Sequence, residues 1–96
     1  MERMNQVERV LLYQQAINAW GQELQLVMAV EETSELQKEV CKILRGDWSS
    51  SRMDSLAEEV ADTRLMLEQI EYMCGIASKV ELVRNIKLAR LKRLVE

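Results

Sequence analysis

The apolar positions of this chain fall at helical spacing in four runs separated by short breaks. Val7, Val10, Leu11 and Ile17 define the first, over about Met4 to Ala19, and Trp20-Gly21 interrupts it. The second extends from about Gln22 to Arg45 and stops at Gly46, a residue suited to the left-handed position that closes a helix. Asp47 to Arg52 is polar and rich in serine, and reads as a loop. Ser51 with Asp54, or Ser55 with Glu58, offers a capping-box start for a third helix, which ends at Cys74-Gly75. Ser78 with Glu81 offers another such start for a fourth helix reaching Leu94. Connections this short favour antiparallel neighbours, so the pattern predicts an all-α, four-helix bundle.

Composition supports the same fold. The chain has no proline and three glycines, and it abounds in Leu, Glu, Ala, Met, Gln, Lys and Arg, which lose least on entering a helix. Its 96 residues make a single domain, 1–96, with no internal repeat or low-complexity tract. So small a domain draws little stability from its own core, and homo-oligomerisation is expected to complete it.

Charge and residue types then narrow the chemistry. A net charge of −3 argues against nucleic acid or an anionic membrane as partner, and no apolar run approaches a membrane span. Cys41 and Cys74 lie far apart with no Cys-x-x-Cys spacing, and nothing at the N-terminus reads as a signal peptide. A reduced, cytoplasmic protein is expected. There is no histidine, which excludes Ser-His and Cys-His nucleophilic catalysis, zinc sites that need His, and Glu-x-x-His di-iron bundles.

The carboxylates are the anomaly. In the second helix Leu24, Met28, Leu36 and Ile43 mark an apolar stripe. Glu32, Glu35 and Glu39 fall within about 40° of Met28, inside that stripe, at 100° of rotation per residue. In the third helix Leu56, Met66, Leu67, Ile70 and Met73 define the apolar face, and Glu59 and Asp62 sit among them. Glu58, Arg64, Glu68 and Glu71 point elsewhere. Two helices therefore aim two acidic pairs, each at i,i+3 spacing, toward a shared interior. Such carboxylates would repel and would be costly to desolvate, and a hard divalent cation with oxygen ligands removes both penalties. The bland alternative makes them rim charges, or partners of buried Arg and Lys. The fourth helix repeats the anomaly with opposite sign. Lys87 and Arg90 project from the face formed by Ile76, Val83, Leu91 and Leu94, with Lys79 nearby. They either contact phosphate oxygens or lay their stems on apolar surface and snorkel outward.

The run Glu31-Glu32-Thr33-Ser34-Glu35 followed, after a fitting spacer, by Glu59-Val60-Ala61-Asp62 resembles the paired acidic motifs of the MazG-like, all-α nucleoside triphosphate pyrophosphohydrolases. In that family the pattern reads Glu-Glu-x-x-Glu, a spacer, then Glu-x-x-Asp. Trp20-Gly-Gln-Glu-Leu-Gln-Leu-Val-Met-Ala resembles the approach to the first motif, and Asn85-Ile-Lys-Leu-Ala-Arg-Leu the basic closing segment. The likeness spans residues 18 to 94. It implies a MazG-like bundle assembled as a homodimer or homotetramer. It also implies Mg²⁺-dependent hydrolysis of (deoxy)nucleoside triphosphates to the monophosphate and pyrophosphate, in nucleotide-pool control or house-cleaning. Mn²⁺ is a natural substitute for the ion. Glu32, Glu35, Glu59 and Asp62 match the positions that carry the metal and the catalysis. Glu31 lies on the edge of the stripe, and Glu39 extends the acidic line by a turn as a supporting or water-orienting group.

Lys87, Arg90 and Trp20 are the substrate-binding candidates, Trp20 through stacking on a nucleobase, although a lone tryptophan at a helix end also suits a core or an interface. Trp48, in the loop, suits a lid or an interface. With no histidine, the general base falls among Glu32, Glu35, Glu39 and Glu59, which the sequence leaves unranked. Two other readings compete, beside that of a family member that binds nucleotide without turnover, against which the intact four-acid set argues. One is a non-enzymatic helical dimerisation or regulatory module, which the six methionines and amphipathic helices would suit. The other is a phosphoribosyl-ATP pyrophosphohydrolase, which shares the bundle and its acidic chemistry.

Overall fold

The computed structural model describes residues 2–96, and among these it contains four α-helices and no strand. They are α1 (Gln6–Trp20), α2 (Gln22–Leu44), α3 (Ser50–Met73) and α4 (Ala77–Val95). The all-α, four-helix expectation therefore holds. Among the described residues no helix is long and apolar enough to cross a membrane.

Local chemistry sets the helix ends. The Asn5 side chain accepts the Glu8 backbone N–H at 2.8 Å and starts α1. Gly46 and Gly75, at φ 104° and 65°, adopt the left-handed conformation that closes α2 and α3. At the first, Asp47 N–H donates to the Lys42 carbonyl at 3.2 Å and Gly46 N–H to that of Ile43 at 2.9 Å. At the second, Ile76 N–H donates to Glu71 at 3.0 Å and Gly75 N–H to Tyr72 at 3.2 Å. Both are the paired bonds of a Schellman turn.

The capping-box expectations are corrected. α3 starts from Ser49, whose hydroxyl accepts the Arg52 N–H at 3.2 Å, and neither Ser51 nor Ser55 is its cap. Asp47 explains the earlier start: its carboxylate accepts the Ser49 N–H at 3.1 Å and Arg52 Nε at 3.0 Å, turning the chain before Ser51 is reached. α4 begins at Ala77 with no side-chain cap, so Ser78 and Glu81 already lie inside the helix. The turn at Gly75 delivers Ile76 directly into the helical path, where its carbonyl accepts the Val80 N–H at 2.9 Å.

α2 and α3 form the main packed pair; α1 touches both, and α4 touches α3 alone. The apolar core is correspondingly thin. Tyr13, Ala29 and Met66 are the buried apolar side chains among the described residues, and α4 contributes none. The radius of gyration is 16.1 Å. A compact domain of about 100 residues comes to about 13 Å, so the helices are splayed rather than closed around one centre. Large apolar side chains stay in solvent on every helix, including Leu11, Val30, Leu67 and, along α4, Leu82, Ile86 and Leu94.

Polar contacts brace the α2–α3 pair at one end. Arg52 Nη1 donates to Glu39 Oε2 at 2.6 Å, while its Nε serves Asp47, and Lys42 Nζ lies 3.4 Å from Glu39 Oε1. Glu39 thus lies on the inner stripe with its charge matched. Hydrogen bonds from Arg52, reinforced by Lys42, hold the Glu39 carboxyl below the usual range against the opposing effect of burial. The Ser49 hydroxyl and backbone N–H, with Arg52, bring Asp47 down to about 2.

A lowered carboxylate stabilises the fold fully above its unfolded pKa of about 4, and this stability is lost as the pH falls through the folded value. Removing Arg52 deprives Glu39 and Asp47 of a shared partner. Arg52→Met should therefore lower the melting temperature at neutral pH, and should flatten its decline between about pH 5 and pH 2. Thermal denaturation over that range checks this; an acid limb as steep as that of the wild type would contradict it.

Candidate metal centre

The register of α2 against α3 brings the acidic motifs together. Thr63, buried on α3, donates from its hydroxyl to the Glu32 backbone carbonyl on α2 at 3.5 Å. Thr63 follows Asp62 directly, so this contact sets Glu32 opposite the second motif. One carboxylate oxygen from each of Glu32, Glu59 and Asp62 lies within 4.8 Å of the other two. Thr33 and Ser34, between Glu32 and Glu35, turn their hydroxyls back onto the carbonyls of Ala29 and Val30 and take no part.

Glu32 and Glu59 are half-buried and Asp62 is exposed. Burial, with the charges of Asp62, Glu31 and Glu35, raises the Glu32 carboxyl above its ordinary range. Burial, with Asp62, Glu32, Glu35 and Glu39, does the same to Glu59. In both cases the neighbours adding to the shift are acidic, and one oxygen of Glu59, Oε2, is buried without a hydrogen-bond partner. An orphaned carboxylate oxygen among like charges is a costly arrangement for an apolar interface to keep.

These residues fit a hard divalent cation. They offer oxygen donors only, the donor set that Mg²⁺ and Mn²⁺ prefer. Ligand oxygens on one Mg²⁺ stand at most about 4.2 Å apart, so a small side-chain rotation closes the three carboxylates onto a single ion. Three ligands from the protein also leave octahedral positions for water and phosphate.

The other sequence candidates take different places. Glu35 stands outside the three-oxygen group, with Oε1 3.1 Å from Lys38 Nζ on its own helix, although its charge reaches both Glu32 and Glu59. Glu31 is exposed, and Glu39 is engaged by Arg52 and Lys42. Trp20, at the end of α1, lines a pocket of about 240 Å³ that also has Glu32 and Asp62 in its wall. Lys79, Lys87 and Arg90 are exposed on α4, and none of them lines that pocket. Lys87 borders a separate groove with Val83 and Leu91. Trp48 is exposed in the α2–α3 loop, and Cys41 and Cys74 are free and exposed.

Two residues that the sequence reading passed over belong to this region. Arg52 is the partner that removes Glu39 from the uncompensated group. Gln25 lines the same pocket as Trp20 and is almost completely buried. Its signal was present, since a separation of seven residues puts Gln25 on the helical face of Glu32. Compared with known proteins, the chain matches no family model, no curated protein and no solved structure.

A carboxyl raised by folding favours the protonated state, so its ionised form weakens the fold at neutral pH, and this penalty fades as the pH falls through the raised value. A neutral amide mimics the protonated form at every pH. Without metal, Glu59→Gln should melt at a higher temperature than the wild type at pH 7, and Mn²⁺ should raise its melting temperature far less than it raises that of the wild type. Paired thermal melts with chelator and with Mn²⁺ provide the check. A lower melting temperature in the metal-free variant, or an unchanged response to Mn²⁺, would contradict the assignment.

Proposed function

We propose that this chain is a Mg²⁺-dependent nucleoside triphosphate pyrophosphohydrolase of MazG-like type. The observation that carries the reading is the convergence of Glu32, Glu59 and Asp62 from two helices, with Glu59 Oε2 left without a partner. The match of these positions to the paired acidic motifs supports the same conclusion, with Glu35 as the fourth acidic member beside them.

In this reading a water molecule attacks the α-phosphorus, the bond from that phosphorus to the α,β-bridging oxygen breaks, and pyrophosphate leaves. The nucleoside monophosphate carries the new oxygen. A bound Mg²⁺ supplies positive charge at the phosphate oxygens and lowers the pKa of water. Glu32, Glu59 and Asp62 hold that charge in place. A carboxylate oxygen left free accepts the proton of the attacking water. Glu32 and Glu59, each with a second carboxylate oxygen beside the one in the three-oxygen group, can serve this task. Glu39 suits it poorly, because Arg52 and Lys42 lower its proton affinity; bracing the end of the pair is its better role.

Assembly belongs to the same proposal. The thin core, the splayed helices and the open apolar face of α4 support a homodimer or homotetramer in which copies cover these faces. Lys87 and Arg90 would reach phosphate oxygens if assembly carries that face of α4 to a carboxylate group. The exposed apolar surface would equally suit a non-enzymatic helical module, and turnover separates the two.

A panel of ribo- and deoxyribonucleoside triphosphates, incubated with Mg²⁺ and resolved by chromatography, tests the chemistry. The expected primary products are monophosphate and pyrophosphate, and Asp62→Asn should abolish turnover while leaving the helical circular dichroism intact. A nucleoside diphosphate as first product, or full activity in Asp62→Asn, would overturn the reading.

Light scattering tests the assembly. The expected mass at micromolar concentration is twice or four times that of the chain, and a folded monomer would refute it.

A further inference from the structure

The pocket beside the carboxylates holds a second unsettled group. Gln25 on α2 is 2 % exposed and is the largest fully buried side chain of the described residues. Neither its amide nitrogen nor its amide oxygen has a hydrogen-bond partner. Burying a donor and an acceptor without partners is unfavourable, and in an interior this thin an apolar side chain would fill the same space without that penalty. An amide at this position is explained by something that supplies an acceptor and a donor side by side.

The pocket itself says what that is. It occupies about 240 Å³, below the roughly 300–1,000 Å³ of sites that enclose a whole drug-sized ligand, so it suits one flat ring system with the rest of the ligand outside. Trp20, Met28, Leu65 and Met66 line it with an aromatic face, two thioethers and an isobutyl group, surfaces that pack against a planar heterocycle. Glu32 and Asp62 lie in the same wall, and Glu32 stands seven residues, about 10 Å, along α2 from Gln25, so a ligand that reaches both must extend from the amide to the acidic group. A nucleotide has this layout, with a planar base carrying adjacent donors and acceptors at one end and phosphates that follow a divalent cation at the other. A glutamine amide pairs with such an edge through two hydrogen bonds at once.

We propose that Gln25 reads the hydrogen-bonding edge of a nucleobase held between α2 and α3, and so determines base preference. This rests on the triphosphate reading of the neighbouring carboxylates. Gln25 touches the base and not the reacting phosphorus, so it is a specificity-determining residue. The competing explanation is an ordered water that satisfies the amide as part of the fold.

The test is calorimetric titration of the full-length protein with Mn²⁺ present. The ligands are the α,β-imido analogues of ATP, GTP, CTP and UTP, with inorganic tripolyphosphate as the baseless control, each against wild type and Gln25→Met. Wild type should bind at least one nucleotide more tightly than tripolyphosphate, with a clear spread among the four. Gln25→Met should weaken the preferred nucleotide roughly ten- to hundredfold and narrow the spread, with tripolyphosphate binding unchanged. A further arm uses wild type alone, so it does not depend on the variant folding. Methylation of the preferred nucleotide at its Watson–Crick ring nitrogen should reduce its affinity toward that of tripolyphosphate.

Tripolyphosphate bound by wild type with no advantage for any nucleotide would overturn the role of Gln25 and leave the carboxylate reading standing. An unchanged spread in Gln25→Met, with only its melting temperature altered, would do the same and point to the structural water. Failure of wild type to bind tripolyphosphate at all would remove the carboxylate reading, and the proposal with it.

Discussion

The arrangement turns on the crowding of like charges between two helices. α2 and α3 pack face to face, yet the faces they present carry Glu32, Glu59 and Asp62 as well as Met28 and Met66. An interface built for stability alone would have filled these positions with apolar side chains, since unpaired carboxylates near an interior raise their own pKa values and weaken the fold. The contrast with Glu39 is informative. One turn past Glu35 on the same stripe, it is more deeply buried than Glu32 or Glu59, yet Arg52 and Lys42 neutralise it and its pKa falls. Among the described residues the chain thus supplies a cation of its own where an acid serves the fold, and leaves the Glu32 group without one. That difference is the physical ground for assigning the group to a ligand.

The second constraint is the shortage of core. Four helices in 96 residues bury three apolar side chains among the described residues, while Trp20, Val30, Leu44 and most of α4 stay in water. Polar bridges such as Arg9 to Glu68 at 2.8 Å and Tyr72 to Gln14 at 2.7 Å fasten α1 to α3, but the first is only part-buried and the second exposed, and each contributes little. The α2–α3 pair is therefore the most closely packed part, and it also holds the carboxylates. The outlying helices have surface to offer to further copies of the chain, which is where the assembly half of the proposed function draws its support.

Much of this was legible in the sequence because helical periodicity is a strong signal. The four helices, the glycine ends at Gly46 and Gly75, and the inward placement of Glu59 over Glu58 all follow from the 3.6-residue repeat and from glycine's tolerance of positive φ. The starts of α3 and α4 were not legible, because capping depends on which side chain folds back. Asp47 decided that for α3, and the turn at Gly75 decided it for α4. A wheel also ranks faces without ranking partners. It put Glu35 and Glu39 on equal terms with Glu32, whereas the structure separates them by their contacts, with Lys38 in one case and Arg52 in the other. Gln25 escaped notice because a neutral residue on an apolar face attracts no electrostatic suspicion; its significance appears only when its amide is found without partners. For α4, periodicity identified an apolar face but could not say that, among the described residues, the helix buries no side chain.

If Glu32, Glu59 and Asp62 together bind a divalent ion, direct metal uptake reveals it with no assumption about substrate. Free Mn²⁺ gives a sharp electron paramagnetic resonance signal that broadens on binding, so titrating metal-free protein counts sites and measures affinity. Saturable uptake by the wild type is expected, displaced by excess Mg²⁺ and abolished when Glu32, Glu59 and Asp62 are replaced together by their amides. A free-ion signal that rises linearly from the first addition, or uptake that survives the triple replacement, would contradict it.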